Sequence, residues 1–305
     1  MAASLTIADD ELLRIAHQAL EGHWATQSIP KRLEEPGYDP VFAQRICRLS
    51  FEKSGGDLER YGKALTDFIA LSEEFVRLQI ELDATGHYKY SNYDEVRAAV
   101  YDNADVMESR YLNGLLLSQA FWINHYKMLM YFVEHFCRPA SATGTLLEVP
   151  SGTGIFISEF ARLNPGWTAT ALDLSESSVA FTREVSRLNG ADVNAIKSDV
   201  FELPEDRRFD RIICGELLEH LEQPELLLEK LARLLDPKGT IFLTTAIWAA
   251  NIDHIYLYVS AREARDMIAK YFTIDSEQVL NVKDGAGPDD EKTPINYACI
   301  GRVKS

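Results

Sequence analysis

The stretch Thr143–Phe156, TGTLLEVPSGTGIF, constrains the fold of this chain more than any other segment. Its apolar run from Leu146 to Val149 is typical of a buried strand. Pro150 ends this run, two glycines follow, and Ile155–Leu163 has helical spacing. A strand, a glycine turn and a helix in this order place backbone N–H groups and a helix N-terminus beside a bound nucleotide in α/β proteins.

Glu148, at the carboxyl end of this predicted strand, has the wrong charge for a phosphate site. A carboxylate suits a ligand that carries hydroxyls and an ammonium group. A dinucleotide fingerprint also needs a third glycine, but three residues after Gly154 the chain has Ile157. A phosphate-cradling loop would need Gly-Lys-Ser or Gly-Lys-Thr, which this segment lacks. Both alternatives are therefore disfavoured.

The pattern of the chain changes near residue 138 and predicts two domains, 1–138 and 139–305. The first is predicted to be all-helical, with its helices at Asp9–Glu21, Val41–Leu49, Asp57–Leu82, Asp94–Tyr101 and Asp105–Phe136. After a linker at Arg138–Gly144, strands alternate with helices, and the turn Asp236–Gly239 precedes the strand Thr240–Thr245. This alternation predicts a doubly wound α/β domain, in which a parallel sheet is covered on both faces.

Acidic residues follow each of the next predicted strands as well. Asp173 follows the second strand, Thr168–Leu172; Asp199 follows the third, Val193–Lys197; and the pair Gly215-Glu216 follows the fourth, Phe209–Cys214. Ligands of open parallel sheets bind beyond the carboxyl ends of the strands, where Asp173 could accept both hydroxyls of a ribose and Asp199 an adenine amino group. Each carboxylate taken alone is better explained as a helix cap or a solvated turn residue. The ordered set points to a ligand.

The segments LLEVPSGTG, ALDLS, KSDVFELP, FDRIICGELLEHLEQP and LLDPKGTIFLTT resemble, in this order, class I S-adenosylmethionine-dependent methyltransferases. The resemblance covers roughly the last half of the chain. It implies S-adenosyl-L-methionine as cofactor and a Rossmann-like sheet of seven strands whose last strand is antiparallel. It also implies that the turn Glu148–Gly154 wraps the methionine part, that Asp173 holds the ribose, and that Asp199 with Val200 flanks the adenine. Pro150 stands where the family usually has glycine, which removes one N–H donor. The predicted cofactor-binding residues are Glu148, Pro150, Ser151, Gly152, Gly154, Asp173, Leu174, Asp199, Val200, Gly215 and Glu216.

Two other stretches are candidates for the acceptor side of the site. In the predicted helix Asp105–Phe136, Arg110, Gly114, Ser118, Trp122 and His125 share one face. A helix that is apolar nearly all round yet carries such residues is buried between domains or lines a pocket. The stretch Ala246–Tyr258 follows the fifth strand and faces the cofactor side. The candidate substrate-binding residues are Tyr111, Ser118, Trp122 and Trp248. The candidate catalytic residues are Asn124, His125, His220, His254 and Tyr256, with Asp253 beside them. For each of them, ordinary packing is the alternative, and His220 is either a general base or a residue that orients its loop.

Composition limits the partners of the protein. The net charge is −16, from 47 acidic and 31 basic residues, which argues against binding to nucleic acid or to anionic membranes. The four scattered cysteines predict neither a disulfide framework nor a metal site, and a reducing cytoplasm is the expected location. The N-terminus lacks the pattern of a signal peptide, and Leu112–Phe136 is too polar to span a bilayer. A homodimer through the helical domain is compatible with these features.

The predicted function is methyl transfer from S-adenosyl-L-methionine to a small molecule, by in-line displacement at carbon. The helical domain is predicted to act as lid and substrate wall, which by analogy favours specialised, natural-product metabolism. Two alternatives stay open at this point. The first is cyclisation or cleavage of the cofactor itself, as in azetidine-2-carboxylate formation with release of methylthioadenosine, and the second is a non-catalytic cofactor-binding module. The acceptor atom and the general base are not fixed by the sequence.

Overall fold

The structure is a computed structural model that describes residues 7–34, 37–103, 107, 111–282 and 290–304. Within these residues, seven strands form a single sheet in the order β3-β2-β1-β4-β5-β7-β6. The strands are β1 (Gly144–Glu148), β2 (Trp167–Asp173), β3 (Val193–Lys197), β4 (Phe209–Cys214), β5 (Leu235–Ile247), β6 (Phe272–Asn281) and β7 (Ile295–Val303). Strands β1 to β5 pair in parallel, and β7 is antiparallel to both β5 and β6. The strand order reverses beside β1, which is where such sheets bind their ligands.

Among the described residues, four α-helices connect the strands: α8 (Ile155–Leu163), α9 (Glu176–Leu188), α10 (Pro224–Leu234) and α11 (Ala261–Ile268). The doubly wound α/β fold is thereby confirmed, and the predicted bounds of α8, β3 and β4 are those of the structure. The predicted turn Asp236–Gly239 lies inside the assigned span of β5. The register of β5 against β4 is shifted at this point, and the N–H of Lys238 donates to Asp236 Oδ1 at 2.8 Å.

The N-terminal part is helical, as predicted. Its helices are α1 (Asp9–Glu21), α2 (Ile29–Arg32), α3 (Pro40–Lys53), α4 (Leu58–Thr85), α5 (Tyr93–Val96), α6 (Leu112–Phe121) and α7 (Ile123–Phe132), with π-helical turns at Arg97–Tyr101 and Val133–Cys137. Asp39 caps α3 and Asp57 caps α4 through hydrogen bonds from backbone N–H groups, which fixes where these helices begin.

The prediction of one continuous helix over Asp105–Phe136 is wrong. Trp122, with φ −92° and ψ 115°, is extended and separates α6 from α7. Tertiary contacts hold this break, because the Trp122 indole N–H donates to Ser72 Oγ at 3.3 Å and its ring packs on Phe75 with centroids 5.4 Å apart. Arg110, the first residue of the predicted helical face, lies outside the described residues.

An apolar core joins the N-terminal helices to one face of the sheet. In it, Phe132 packs on Phe156 of α8 and on Phe242 of β5, with ring centroids 5.0 and 4.9 Å apart. A second core on the opposite face is built by α10 and α11. The first core contains described residues from both sides of residue 138, so it is continuous across the predicted domain boundary. That boundary stays a prediction. Among the described residues, no helix has the length and apolar character needed to cross a membrane.

Candidate functional site

A cavity of about 1050 Å³ lies at the carboxyl ends of the parallel strands. The N-terminal helices form its other wall, through side chains such as Phe75, Gln79 and Trp122. Of the eleven predicted cofactor-binding residues, ten line this cavity and Gly154 does not: the ten are Glu148, Pro150, Ser151, Gly152, Asp173, Leu174, Asp199, Val200, Gly215 and Glu216.

The glycine turn forms the floor of the cavity between β1 and α8. Gly152 has φ +49° and Gly154, the N-cap of α8, has φ +70°, a region that favours glycine. The Gly152 N–H donates to Asp173 Oδ2 at 2.9 Å and so ties the turn to the end of β2. The peptide bond between Val149 and Pro150 is cis.

Two carboxylates at the ends of β1 and β2 are nearly inaccessible to solvent. Glu148 is 2% exposed; it accepts a hydrogen bond from the Ile157 N–H, while Oε2 has no partner among the described residues. Burial raises the pKa of Glu148 well above its usual value. Burial also raises the pKa of Asp173, although hydrogen bonds from backbone N–H groups, including that of Ser175, partly offset the rise. A cationic ligand group would stabilise both ionised carboxylates.

Asp199 and Val200 follow β3. Asp199 Oδ1 accepts from the Phe201 N–H at 2.9 Å and caps the 3₁₀ turn Val200–Glu202. Asp199 therefore does both things that the sequence left open: it caps this turn, and it lines the cavity wall. Val200 is buried and offers an apolar surface there.

Glu216, after β4, has an unusual backbone for a residue with a side chain, with φ +48°. Its N–H donates to Thr244 Oγ1 at 2.9 Å, which holds this conformation. Its Oε2 accepts from Asn296 Nδ2 at 2.7 Å, and Asn296 Oδ1 accepts in turn from Asn124 Nδ2 at 2.6 Å. Glu216 Oε1 has no partner among the described residues, so one acceptor faces no protein donor.

His220 lies in a buried hydrogen-bonded cluster with Asp253, Tyr101 and Tyr111. Asp253 Oδ2 accepts from the hydroxyls of both tyrosines, at 3.1 Å for Tyr101 and at a short distance for Tyr111. Burial, followed by the Asp253 charge, raises the pKa of each phenol well above its usual value, so both phenols stay protonated. His220 Nδ1 lies 3.0 Å from the Asp253 carbonyl oxygen. Because a carbonyl only accepts, Nδ1 is the nitrogen that donates here, and the lone pair of this tautomer lies on Nε2.

The same reasoning shows that Nδ1 is also the donating nitrogen in two further histidines of the cavity wall. His254 Nδ1 donates to the Ala249 carbonyl at 2.7 Å, and burial, with a smaller effect of His220, lowers the pKa of His254 to about 3. The Ser118 hydroxyl donates to the Leu115 carbonyl at 2.7 Å, so it accepts from His125 Nδ1 at 2.8 Å. Burial lowers the pKa of His125 to about 4.

The other candidates from the sequence divide between the cavity and the surrounding core. Tyr111, Trp122 and Asn124 line the cavity, but Ser118, Trp248 and Tyr256 are not among its lining residues. Ser118 orients His125 from behind, the Trp248 indole donates to Asp83 Oδ1 at 2.9 Å, and the Tyr256 ring packs on Tyr258.

Sequence reasoning missed Asn296, Tyr101 and Gln119. Asn296 comes from β7, where no pattern marks which polar residue points inward. Tyr101 meets Asp253 across more than a hundred residues of sequence, and no local spacing indicates that contact.

Glu219, His220 and His254 each offer one ligand atom, and these atoms lie within 4.8 Å of one another. Both oxygens of Glu219 already accept hydrogen bonds, from the Thr245 hydroxyl at 2.7 Å and the Ala246 N–H at 3.2 Å. These two hydrogen bonds fix the orientation of the Glu219 carboxylate within the trio.

Comparison with known proteins gives a family match inside the α/β part. Residues 147–243 match the family model described as "Methyltransferase domain". The ubiquinone biosynthesis O-methyltransferase of Xanthomonas axonopodis pv. citri is 34% identical over 116 residues, which cover 37% of this chain and 47% of that protein. The enzyme of the same name from Rickettsia conorii is 28% identical over 100 residues, 33% of this chain and 34% of that protein. The matched segment thus spans less than half the length of these curated relatives. Among solved structures, N-methyltransferase NodS from Bradyrhizobium japonicum in complex with S-adenosyl-l-homocysteine has a TM-score of 0.48 at 13% identity, covering 70% of this chain and 98% of that one.

Proposed function

We propose that this chain, whose residues 147–243 match a methyltransferase domain, uses S-adenosyl-L-methionine to transfer a methyl group to a hydroxyl of an uncharged small molecule. One observation carries the proposal: a single cavity is lined both by the acidic strand ends and by aromatic side chains of the N-terminal helices. Cofactor and acceptor would therefore meet in one cavity, where they could be aligned for the in-line displacement that methyl transfer requires.

The strand ends would hold S-adenosyl-L-methionine. Asp173 would accept from the ribose hydroxyls, Asp199 and Val200 would flank the adenine, and Glu148 and Glu216 would face positive charge. The unpartnered Glu148 Oε2 and Glu216 Oε1 support this fit, because buried acceptors need donors that the described chain does not supply. When bound, the cofactor supplies an electrophilic methyl group on a sulfonium.

The chemistry of the other wall supports an uncharged acceptor. Its side chains include Phe75, Trp122 and Met128. Among the described lining residues, the only lysine and arginine are Lys197 and Arg97. Each already has an acidic partner: Arg97 Nε lies 3.1 Å from Asp102, and Lys197 Nζ lies 3.7 Å from Glu176. An anionic acceptor would find no unpaired cation among them. The predicted role in specialised metabolism fits such a helical wall and stays part of this proposal.

His220 is our candidate for the general base. Its Nδ1–H is held by the Asp253 carbonyl, so Nε2 is free to take a proton from an acceptor hydroxyl. The Asp253 carboxylate, 3.5 Å from Nδ1, would stabilise the imidazolium that forms. His254 is a weaker candidate, because a pKa of about 3 leaves it a poor base near neutral pH.

The proposal is tested by incubating the protein with the cofactor and a panel of uncharged phenols and alcohols, and by measuring S-adenosylhomocysteine and methylthioadenosine. We expect S-adenosylhomocysteine only when an acceptor is present. Stoichiometric methylthioadenosine without an acceptor would instead mean cleavage of the cofactor. Tight binding without turnover of any acceptor would favour a binding module.

The base is tested with His220→Asn, which keeps a donor near the Nδ1 position and removes Nε2. We expect turnover to fall by a factor of about 10²–10⁴, with unchanged affinity for S-adenosylhomocysteine. His254→Asn is the matched control, and we expect it to retain most of the turnover. Full activity of His220→Asn would remove His220 from this role.

A further inference from the structure

A trio of buried side chains beside the cavity has the composition of a metal site. Glu219, His220 and His254 each offer one ligand atom, and these atoms lie within 4.8 Å of one another. All three residues are buried. Two imidazoles and one carboxylate form a ligand set that suits Zn²⁺ and related transition-metal ions, whereas Mg²⁺ prefers oxygen ligands alone.

The hydrogen bonds of both histidines suit this role. Nδ1 of His220 donates to the Asp253 carbonyl at 3.0 Å, and Nδ1 of His254 donates to the Ala249 carbonyl at 2.7 Å. In these tautomers the lone pair of each ring lies on Nε2. A histidine that binds a metal through one nitrogen usually donates its other N–H to a carbonyl or a carboxylate, which fixes the ring. Both rings are thus held in the form that can bind an ion.

The distance between the two rings agrees with a shared ion. The centroids of His220 and His254 are 4.9 Å apart, and the ring planes are at 88° to each other. A zinc–nitrogen distance of about 2.0–2.1 Å places two imidazole centroids roughly 4.5–5.2 Å apart when both rings bind the same ion. Edge-to-face packing gives a similar distance, so the carboxylate beside the rings decides between the two.

Glu219 adds a negative charge that its own hydrogen bonds do not balance. It accepts from the Thr245 hydroxyl at 2.7 Å and from the Ala246 N–H at 3.2 Å, and both donors are uncharged. An ionised carboxylate has about four lone-pair positions, so two remain for a further partner. A buried charge without a charged partner is costly, and a cation bound beside it offsets that cost. Glu219 therefore favours an ion over ring packing alone.

The backbone holds the three ligands together before any ion binds. His254 lies in the loop after β5, and the other two ligands lie in the 3₁₀ turn Leu218–His220 after β4. The Glu219 carbonyl accepts from the N–H groups of Ile255 and Tyr256 at 2.8 and 2.9 Å, which ties the two segments to each other. Ligand atoms on one ion are roughly 3.0–3.6 Å apart, so closure around an ion needs shifts of about 1 Å or less. Both histidines also line the cavity, through which an ion can enter.

We propose that Glu219, His220 and His254 bind one divalent transition-metal ion, such as Zn²⁺, through a carboxylate oxygen and the two Nε2 atoms. Three protein ligands leave a further coordination position open. The ion would occupy the lone pair that the proposed function gives to the base, so ion and proton would compete for His220. A bound ion would therefore switch the base off. The metal site itself goes beyond the proposed function and does not depend on it.

The site is tested by titrating Zn²⁺ into the full-length, metal-free protein and measuring binding by calorimetry, with neither cofactor nor acceptor present. We expect one ion per chain in the wild-type protein, and an affinity lower by a factor of about 100 or more in His254→Asn, which removes one ligand. His125→Asn is the matched control, because His125 is a buried histidine of the same cavity that lies outside the trio. We expect this control to bind Zn²⁺ as the wild-type protein does.

Lack of stoichiometric Zn²⁺ binding, equal affinity of His254→Asn and the wild-type protein, or an equal loss in His125→Asn would overturn the proposal. Co²⁺ provides a second measurement on the wild-type protein, needed if His254→Asn does not fold. Ligation by the trio should give the visible absorption of a four- or five-coordinate ion, and the weak spectrum of the hydrated ion counts against the site. Because these titrations need no turnover, their failure is distinct from a failure to transfer methyl groups.

Discussion

Gly154→Ala is expected to destabilise the fold strongly. At φ +70°, alanine costs about 1–2 kcal/mol in backbone strain. A Cβ there would also lie 2.7 Å from Thr182 Cγ2 and 2.9 Å from the Thr182 Cα, closer than atoms pack. Overpacking of this kind adds about 1–3 kcal/mol, so we expect a total loss of about 2–5 kcal/mol in the free energy of unfolding.

Gly152→Ala is the matched control, because Gly152 also has positive φ (+49°) but has no atom within 4 Å of an added Cβ. Only the backbone strain applies, so the expected loss is about 1–2 kcal/mol. Gly152 does, however, line the cavity, and its added methyl group would occupy ligand space. We therefore expect Gly152→Ala to lower the affinity for S-adenosylhomocysteine more than it lowers stability.

Urea unfolding measures the first effect and titration calorimetry the second. Thr182→Ser, introduced into Gly154→Ala, removes the closest methyl group while keeping the hydroxyl that donates to Ser151 Oγ at 2.9 Å. We expect partial recovery of stability, because the contact with the Thr182 Cα remains. Equal stability of Gly152→Ala and Gly154→Ala would refute the packing argument.

Three further predictions concern other parts of the molecule. Asp173→Asn should weaken cofactor binding by about 1–3 kcal/mol, measured by calorimetry, because the ribose hydroxyls lose a charged acceptor; unchanged affinity would remove Asp173 from that role. Burial lowers the pKa of His125 from 6.5 to about 4, so the unfolded chain binds a proton at a higher pH than the folded protein does. The contribution of His125 to the free energy of unfolding is therefore complete above pH 6.5, and the free energy should fall by about 3 kcal/mol as the pH drops to 4. Urea unfolding at both pH values should show a smaller fall for His125→Phe, and an equal fall would contradict the assignment. Arg45→Ala should lower the free energy of unfolding, measured with urea, by about 1–2 kcal/mol, because Arg45 joins α3 to the buried Glu159 of α8. The loss is limited because Glu159 still pairs with Arg162, 2.7 Å away. No measurable loss would mean that the link is only a surface contact.

The part of the fold that the sequence predicts well is the part fixed by local pattern. The bounds of α8, β3 and β4 follow from apolar runs, helical spacing and the residues that end them. The break at Trp122 has no such signal, since no glycine or proline interrupts residues 115–136. It is made by contacts with other elements, including Ser72 on α4, which local periodicity does not reveal.

The candidate site divides in the same way. Glu148, Asp173, Asp199 and Glu216 could be predicted because the carboxyl ends of parallel strands meet at one edge of the sheet. The cluster of Tyr101, Asp253 and His220 could not, because it joins the N-terminal helices to loops after β4 and β5. Its hydrogen bonds exist only once the helices pack on the sheet.

The two walls of the cavity differ in electrostatic character, and this difference bears on how a ligand pair would be arranged. At the strand ends, unpartnered acceptors such as Glu148 Oε2 and Glu216 Oε1 favour donors and positive charge. The opposite wall includes apolar side chains such as Phe75, Trp122 and Met128. A cationic cofactor would be stabilised at the strand ends, whereas burial against the apolar wall costs an uncharged acceptor less than it costs a charged one. The polarity of the two walls, and not shape alone, would therefore orient the pair for transfer.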